Sequence, residues 1–183
     1  SHFWELARGI DERSVVPDRE AKSISHETTF EKDIHDIEVL RAWAIELTDL
    51  VARRLRLHNL SGRTVHLKVR FSDFQTITRS TTLPRATNVT QEIWQVTNEM
   101  LSSRIPKNSL AVRLLGVGVS GFDSSEQTQL SLFEDETHEA QLKLDQAADE
   151  IRRKFGSPSI GRASGLLHRV AHTPQPKPND SPS

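Results

Sequence analysis

The chain contains no cysteine, few aromatic residues and no long hydrophobic run. The absence of Cys from its 183 residues excludes a disulfide framework and any cysteine-ligated zinc site. No apolar stretch approaches the ~20 residues that a membrane-spanning helix needs, and no signal-peptide pattern opens the chain. We therefore expect a soluble, cytoplasmic protein with one domain of ordinary size and short appendages.

The net charge of −1 hides an uneven distribution of charge along the chain. Residues 21–122 carry 14 basic and 10 acidic side chains, whereas residues 123–156 carry 4 basic and 9 acidic ones. A basic body beside an acidic segment points to a polyanionic partner such as nucleic acid. On charge alone, however, a well-solvated surface is the simpler interpretation of the basic excess.

Residues 22–122 predict the element order β-α-β-β-α-β. Period-two alternation and an apolar run predict four strands, over residues 22–30, 63–71, 76–83 and 110–119. Helical spacing predicts helices over residues 36–57 and 89–104, with Asn88 as the N-cap of the second helix. Gly116 and Gly118 predict a bulge or a close backbone approach in the last strand. The resulting α+β fold is a four-stranded antiparallel sheet with both helices on one face, as in ferredoxin-like layers.

The sheet face opposite the helices is left to solvent or to a ligand. It should carry His66, Lys68 and Arg70, with polar Ser, Thr and Arg side chains from the neighbouring strands. Phe30 and Phe71 fall in the apolar parity, so this face offers no ring on which an RNA base would stack. A non-enzymatic RNA- or protein-binding domain on the same layer is therefore the less favoured alternative.

Outside this domain the character of the sequence changes. Residues 13–21 are polar and predict a linker, and residues 138–156 predict an amphipathic helix with an apolar stripe that requires burial. The stripe consists of Ala140, Leu144, Ala147, Ile151 and Phe155. Residues 157–183 are rich in proline near their end and predict a mostly disordered tail.

An apolar cluster interrupts the acidic, turn-like segment 123–137. It consists of Gln129, Leu130, Ser131, Leu132 and Phe133. From these residues alone, the cluster either folds back onto the domain or docks in the hydrophobic groove of a partner.

Several segments resemble the C-terminal region of bacterial members of the Y-family of translesion DNA polymerases. They are the residues Leu6–Asp11, Lys22–Phe30, Thr64–Phe74 and Leu114–Val119. The second resembles the family pattern Lys-Ser-Val-Gly-x-Glu-x-Thr-Phe, with Ser25 in the place of Gly, and the third resembles Thr-Val-x-Leu-Lys-Val-Arg-x-x-Asp-Phe. The cluster Gln129–Phe133 is similar to the Gln-Leu-Ser/Asp-Leu-Phe pentapeptide by which bacterial replication enzymes dock on the sliding clamp.

The resemblance implies a division of labour along the chain. Residues 1–12 would end a thumb domain, residues 22–122 would form a little finger that grips primer–template DNA, and residues 123–137 would dock on the β subunit of the clamp. Phosphate contacts are implied for the first strand and the second hairpin strand, with Lys68 and Arg70 added by sheet polarity. The full set is Lys22, Ser23, Ser25, Lys68, Arg70, Thr78, Arg79, Ser80, Thr81 and Thr82.

The same resemblance implies where the chemistry lies. The metal-binding carboxylates of these error-prone nucleotidyltransferases belong to a palm domain upstream of Ser1, and Mg²⁺ is expected there. We therefore assign no catalytic or metal-ligating residue and no cofactor to this chain. It is expected to be monomeric, and inactive by itself.

Overall fold

The computed structural model describes residues 2–11, 13, 21–106, 110–122 and 136–163. The elements are α1 (His2–Ala7), β1 (Ser23–Ile34), α2 (Ile37–Leu57), β2 (Gly62–Phe71), β3 (Thr76–Thr87), α3 (Thr90–Ser103), β4 (Val112–Phe122), α4 (Glu136–Phe155) and a 3₁₀ turn at Ser157–Ser159. The predicted β-α-β-β-α-β order is confirmed. Within the described ranges, no helix combines the length and the apolar character needed to cross a bilayer.

The four strands form one antiparallel sheet in the order β1-β4-β2-β3. The β2–β3 connection is a hairpin. Each helical connection joins two parallel strands that have a third strand between them, so that α2 crosses over β4 and α3 crosses over β2. Both helices therefore pack on the same face, as the sequence predicts, and β1 and β3 form the two edges.

The core lies between this face of the sheet and the two helices. Val65, Leu67 and Val69 of β2 are fully buried because alternate residues of a strand point to the same side. They meet the apolar stripe of α2, which includes Leu55, and Ile93 of α3, all within one buried cluster. The alternate residues of β2 point to the other face of the sheet and lie outside this core.

The cap of α3 differs from the sequence-based expectation. Asn88 does not cap the helix, because its side-chain amide donates to the carbonyl oxygen of Leu60 at 3.2 Å. The N-cap position is Val89, which makes no side-chain cap hydrogen bond. Instead the carboxylate of Asp145, on α4, accepts a hydrogen bond from the backbone N–H of Thr90 at 2.7 Å. A negative charge at this end is favoured by the helix dipole.

Helix α4 docks on the domain by its charged side. Asp145 and Arg152 are buried, whereas Leu144, Ile151 and Phe155 of the predicted apolar stripe are exposed. Buried charges need partners, and α2 supplies them. The ion pairs are Arg56–Asp145 at 3.1 Å, Arg56–Asp149 at 2.7 Å and Arg152–Asp49 at 2.8 Å.

The residues that follow α4 take part in the same contact. Arg162 lies 2.6 Å from Asp145 and 3.5 Å from Asp49, and the 3₁₀ turn places Ser157 within 3.2 Å of the guanidinium of Arg53. Residues 157–163, which the sequence assigns to the tail, thus lie against α2. The remainder of that tail is outside the described residues.

Candidate nucleic-acid interface

The sheet face opposite α2 and α3 is built from alternate residues of all four strands, and we call it the open face. Most of its side chains are the hydroxyls of Ser and Thr. The strand register aligns the residues of this face in four rows across β1, β4, β2 and β3. The rows are Ser23–Ser120–Thr64–Thr82, Ser25–Gly118–His66–Ser80, Glu27–Gly116–Lys68–Thr78 and Thr29–Leu114–Arg70–Thr76.

Two glycines of β4 leave the centre of the open face without side chains. A Cβ atom on Gly116 would lie 3.0 Å from Cβ of Glu27, and one on Gly118 would lie 3.0 Å from Cβ of Ser25. The predicted close approach is therefore confirmed. The register is continuous at both glycines, and the irregularities lie elsewhere in β4's pairings. A bare strand of this kind allows a ligand to come close to the backbone.

The cations of the open face lie along β2. Lys68 Nζ is 2.9 Å from Glu27 Oε2, and this pair spans the bare backbone at Gly116. Arg70 donates through Nε to the hydroxyl of Thr76 at 2.9 Å. Lys22 is exposed immediately before β1 and adds a further cation at the edge. The open face is thus rich in donors, and its four rows contain one carboxylate, that of Glu27.

The predicted DNA-binding set is divided between the two faces of the sheet. Ser23, Ser25, Lys68, Arg70, Thr78, Ser80 and Thr82 lie on the open face. Arg79 and Thr81 do not, because they pair with the buried residues Leu67 and Val65 and so point to the helical side. The expectation of a single shared face is wrong for these two residues. Five consecutive strand residues cannot point the same way when side chains alternate.

Arg79 instead lies at the outer edge of the sheet, beside a cation that sequence reasoning missed. Its Nε donates to the backbone carbonyl of Arg104 at 3.2 Å, and the guanidinium of Arg104 donates to the carbonyl of Ser80 at 3.3 Å. Because β3 is an edge strand, part of its backbone N–H groups point away from β2. This edge therefore combines backbone donors with two guanidinium groups.

Several open-face residues were also missing from the predicted set. Thr64 and Thr76 follow from strand parity alone, whereas Ser120 could be placed only once the register of β4 was known. Ser120 Oγ lies 2.7 Å from Nε2 of His66, at one end of the face.

Aromatic rings are absent from the four rows of the open face. Phe30 and Phe71 are buried, as predicted. Phe74, at the β2–β3 turn, is exposed and has a φ of 67°. The guanidinium carbon of Arg113 lies 4.6 Å from the centre of its ring. This ring lies at the turn and not on the face.

The predicted clamp-binding residues Gln129–Phe133 lie outside the described residues. The segment that contains them is bounded by β4, whose last residue Phe122 pairs with Gly62, and by the start of α4. There His138 Nδ1 lies 2.7 Å from a carboxylate oxygen of Glu92. Burial raises the pKa of Glu92, but hydrogen bonds from Thr87, His138 and Arg85 together lower this pKa below its ordinary value.

The chain matches one protein family over most of its described domain. The family described as impB/mucB/samB family C-terminal domain matches residues 21–132. A DNA polymerase IV of Desulfatibacillum aliphaticivorans is 40% identical over 172 residues, which cover 93% of this chain and 43% of that protein. A DNA polymerase IV of Caulobacter vibrioides is 39% identical over 160 residues, which cover 86% of this chain and 39% of that protein. The chain thus spans less than half the length of these relatives.

Among solved structures, a Y-family DNA polymerase chimera has a similar fold. Its TM-score is 0.51 at 14% sequence identity, and the match covers 67% of this chain and 34% of that chain. At this identity the likeness establishes the fold alone.

Proposed function

Because the chain belongs to the impB/mucB/samB C-terminal domain family, we propose that it is the duplex-gripping little finger of a Y-family translesion polymerase of the DNA polymerase IV kind. The observation that carries this proposal is the open face, with its hydroxyl rows, its bare centre and its cations along β2. The names of relatives that are about 40% identical support it. Nucleotide transfer and its Mg²⁺ would then belong to other parts of the parent enzyme.

The chemistry of the open face suits contacts with phosphates. Hydroxyl groups, Lys68 and Arg70 donate hydrogen bonds or charge to phosphate oxygens, which position a duplex without reading its sequence. Arg79 and Arg104 would extend this contact around the outer edge of β3. An enzyme that copies damaged templates benefits from such indifference to sequence, because the lesion then does not disturb the grip.

Salt-dependent binding of a fluorescent primer–template duplex tests this proposal. Lys68→Gln and Arg70→Gln should each weaken binding and reduce the slope of log K against log salt by about 1. Arg153→Gln is the matched control, since Arg153 is exposed on α4, away from the open face. Slopes equal to that of the unaltered protein in both open-face variants would contradict the proposed interface.

Arg79→Glu tests whether the duplex contacts the outer edge of β3 in addition to the open face. If the duplex reaches this edge, the variant should bind more weakly and with a shallower salt dependence, while its far-UV circular dichroism is unchanged. If binding is confined to the open face, Arg79→Glu should behave like Arg153→Gln.

We also propose that Gln129, Leu130, Ser131, Leu132 and Phe133 dock this chain on the bacterial sliding clamp. The acidic residues around this segment would keep it away from DNA and available to a protein groove. The two partners would place the protein in the cytoplasm, with the chromosome.

Calorimetry against the sliding clamp tests the docking peptide. Leu132→Ala combined with Phe133→Ala should abolish binding, because buried apolar anchors carry most of the energy of such interfaces. Ser131→Ala is the control, since the pentapeptide tolerates different residues at that position. Unchanged affinity of the double variant would refute the peptide while leaving the duplex-binding proposal untouched.

A further inference from the structure

The apolar stripe of α4 is a feature of the described structure that the proposed function does not use. Leu144, Ile151 and Phe155 are 63%, 39% and 67% exposed, whereas Asp145 and Arg152 on the opposite side are 3% and 8% exposed. An amphipathic helix ordinarily buries its apolar side. Here the ion pairs with α2 hold the charged side down, so the stripe faces outward. A contiguous apolar surface of this kind marks an interaction site.

The stripe is complementary in shape to a second copy of itself in the antiparallel orientation. With a two-fold axis passing beside Ala147, Ala140 lies opposite Phe155 of the second copy, and Leu144 lies opposite Ile151. Each large side chain then faces a smaller or equal one. The alanine at the centre allows the two helices to approach closely.

The charges beside the stripe match in the same orientation. Glu139, Lys143, Glu150 and Lys154 lie along one flank of the stripe at helical spacing. In an antiparallel pair, equal flanks of the two helices face each other. Within one helix Lys143 Nζ lies 2.7 Å from Glu139 Oε1. In the antiparallel pair Glu139 lies in addition beside Lys154 of the second copy, and Lys143 lies beside Glu150. The acidic first turn of each helix also meets the basic last turn of the other, which the helix dipoles favour.

A parallel pair has none of these matches. Phe155 would face Phe155 and Ala140 would face Ala140. Two large side chains would then be crowded at one end of the pair, and a gap would be left between two small ones at the other end. The charged flank would meet the other flank, which carries Gln141 and Ala148. Shape and charge therefore select the same orientation independently.

We propose that α4 is a self-association surface, which pairs with α4 of a second copy of this chain in antiparallel orientation. The helix has 20 residues and is about 30 Å long, so the interface lies at the small end of specific interfaces and the dimer is weak and concentration-dependent. This proposal stands independently of DNA or clamp binding. It differs from the sequence-based expectation of a monomer, and the experiments below distinguish the two.

Disulfide trapping tests the orientation directly, because the chain has no cysteine of its own. Ala147→Cys should cross-link to itself under mild oxidation, since the axis brings its two copies together. Ala140→Cys should not cross-link alone but should do so when mixed with Phe155→Cys. Gln146→Cys is the matched control, because Gln146 is exposed but lies off the stripe. Self-cross-linking of Ala140→Cys without that of Ala147→Cys would overturn the antiparallel arrangement.

Sedimentation velocity tests self-association without cross-linking. The unaltered chain should show a concentration-dependent dimer, which Leu144→Gln with Ile151→Gln should abolish without changing the far-UV circular dichroism. Lys143→Glu should weaken the dimer, and Lys143→Glu combined with Glu150→Lys should restore it. A chain that stays monomeric at the highest concentration reached, with no cross-link through Ala147→Cys, would show that something other than a second copy covers the stripe and would overturn the proposal.

Discussion

Asp145 joins three elements of the described structure, and its removal should undock α4. Its carboxylate accepts a hydrogen bond from the Thr90 N–H at 2.7 Å. It also pairs with Arg56 at 3.1 Å and with Arg162 at 2.6 Å, and it is 3% exposed. Replacing it by Ala therefore leaves a helix N-terminus without its cap and a buried guanidinium short of one partner.

The size of the effect follows from these contacts. Loss of an N-terminal cap costs about 1 kcal/mol, and removing one partner of a buried ion pair costs about 3–5 kcal/mol. Arg56 keeps Asp149 at 2.7 Å and the carbonyl oxygen of Asn88 at 2.8 Å, so the lower end applies. We expect Asp145→Ala to reduce the free energy of unfolding by about 3 kcal/mol.

Urea unfolding measures this loss, and hydrogen exchange locates it. The amides of α4 and of the first turn of α3 should lose protection, while those of β2 and β4 keep theirs. Gln146→Ala is the control, because Gln146 is exposed on the same helix and lies off the apolar stripe. A loss below about 1 kcal/mol, the size of a surface effect, or a loss of protection spread evenly over the sheet, would refute the view that Asp145 is what docks α4.

Three further changes test other parts of the structure. Glu27→Gln should raise duplex affinity and steepen its salt dependence, because it frees Lys68 on the open face; no gain in an anisotropy titration would contradict the placement of the duplex. Because the folded-state pKa of Glu92 is lowered from 4.5, its contribution to stability is present above about pH 4.5 and is lost as the pH falls through the folded-state value. The difference in urea stability between the unaltered chain and Glu92→Gln should therefore shrink below that pH, and a constant difference would argue against the contacts with His138 and Arg85. Gly62→Ala should destabilise the domain by about 1–3 kcal/mol, since its Cβ would lie 2.5 Å from Val119 Cγ1 and 2.9 Å from the carbonyl oxygen of Ser120. A smaller loss of stability in urea unfolding would show that β4 shifts to make room for the methyl group.

The elements of the central domain could be predicted because their signals are local. Period-two alternation over Arg63–Phe71 and helical spacing over residues 36–57 are set by which side chains face the core, and both predictions are confirmed within one or two residues. The close approach at Gly116 and Gly118 was likewise predictable, since glycine weakens a strand and is found within one mainly where a bulge or a neighbouring backbone leaves no room for a side chain.

The composition of the candidate site was predicted less well than the fold. A family contact pattern in β3 supplied five consecutive residues, but a strand turns alternate side chains to opposite faces, and Arg79 and Thr81 went to the helical side. Arg104 was not predicted because it follows α3 in the chain and contacts β3 only through the backbone carbonyl of Ser80. No local sequence pattern predicts such a contact.

By itself, the sequence determined the order of the elements, the inward faces of the strands and helices of the central domain and the hydroxyl-rich character of the open face, because each of these depends on residues only a few positions apart. The tertiary structure alone decided which carboxylate caps α3, which side of α4 is buried and that Arg79 contacts Arg104 at the edge of the sheet. Asp145 is 55 residues from Thr90, whose backbone N–H donates a hydrogen bond to its carboxylate. The burial of a charged helix face depends on whether Arg56 and Asp49 lie opposite it. Pairings between distant charges are set by the packing of whole elements, and for that reason the apolar stripe of α4, expected to be buried, faces outward.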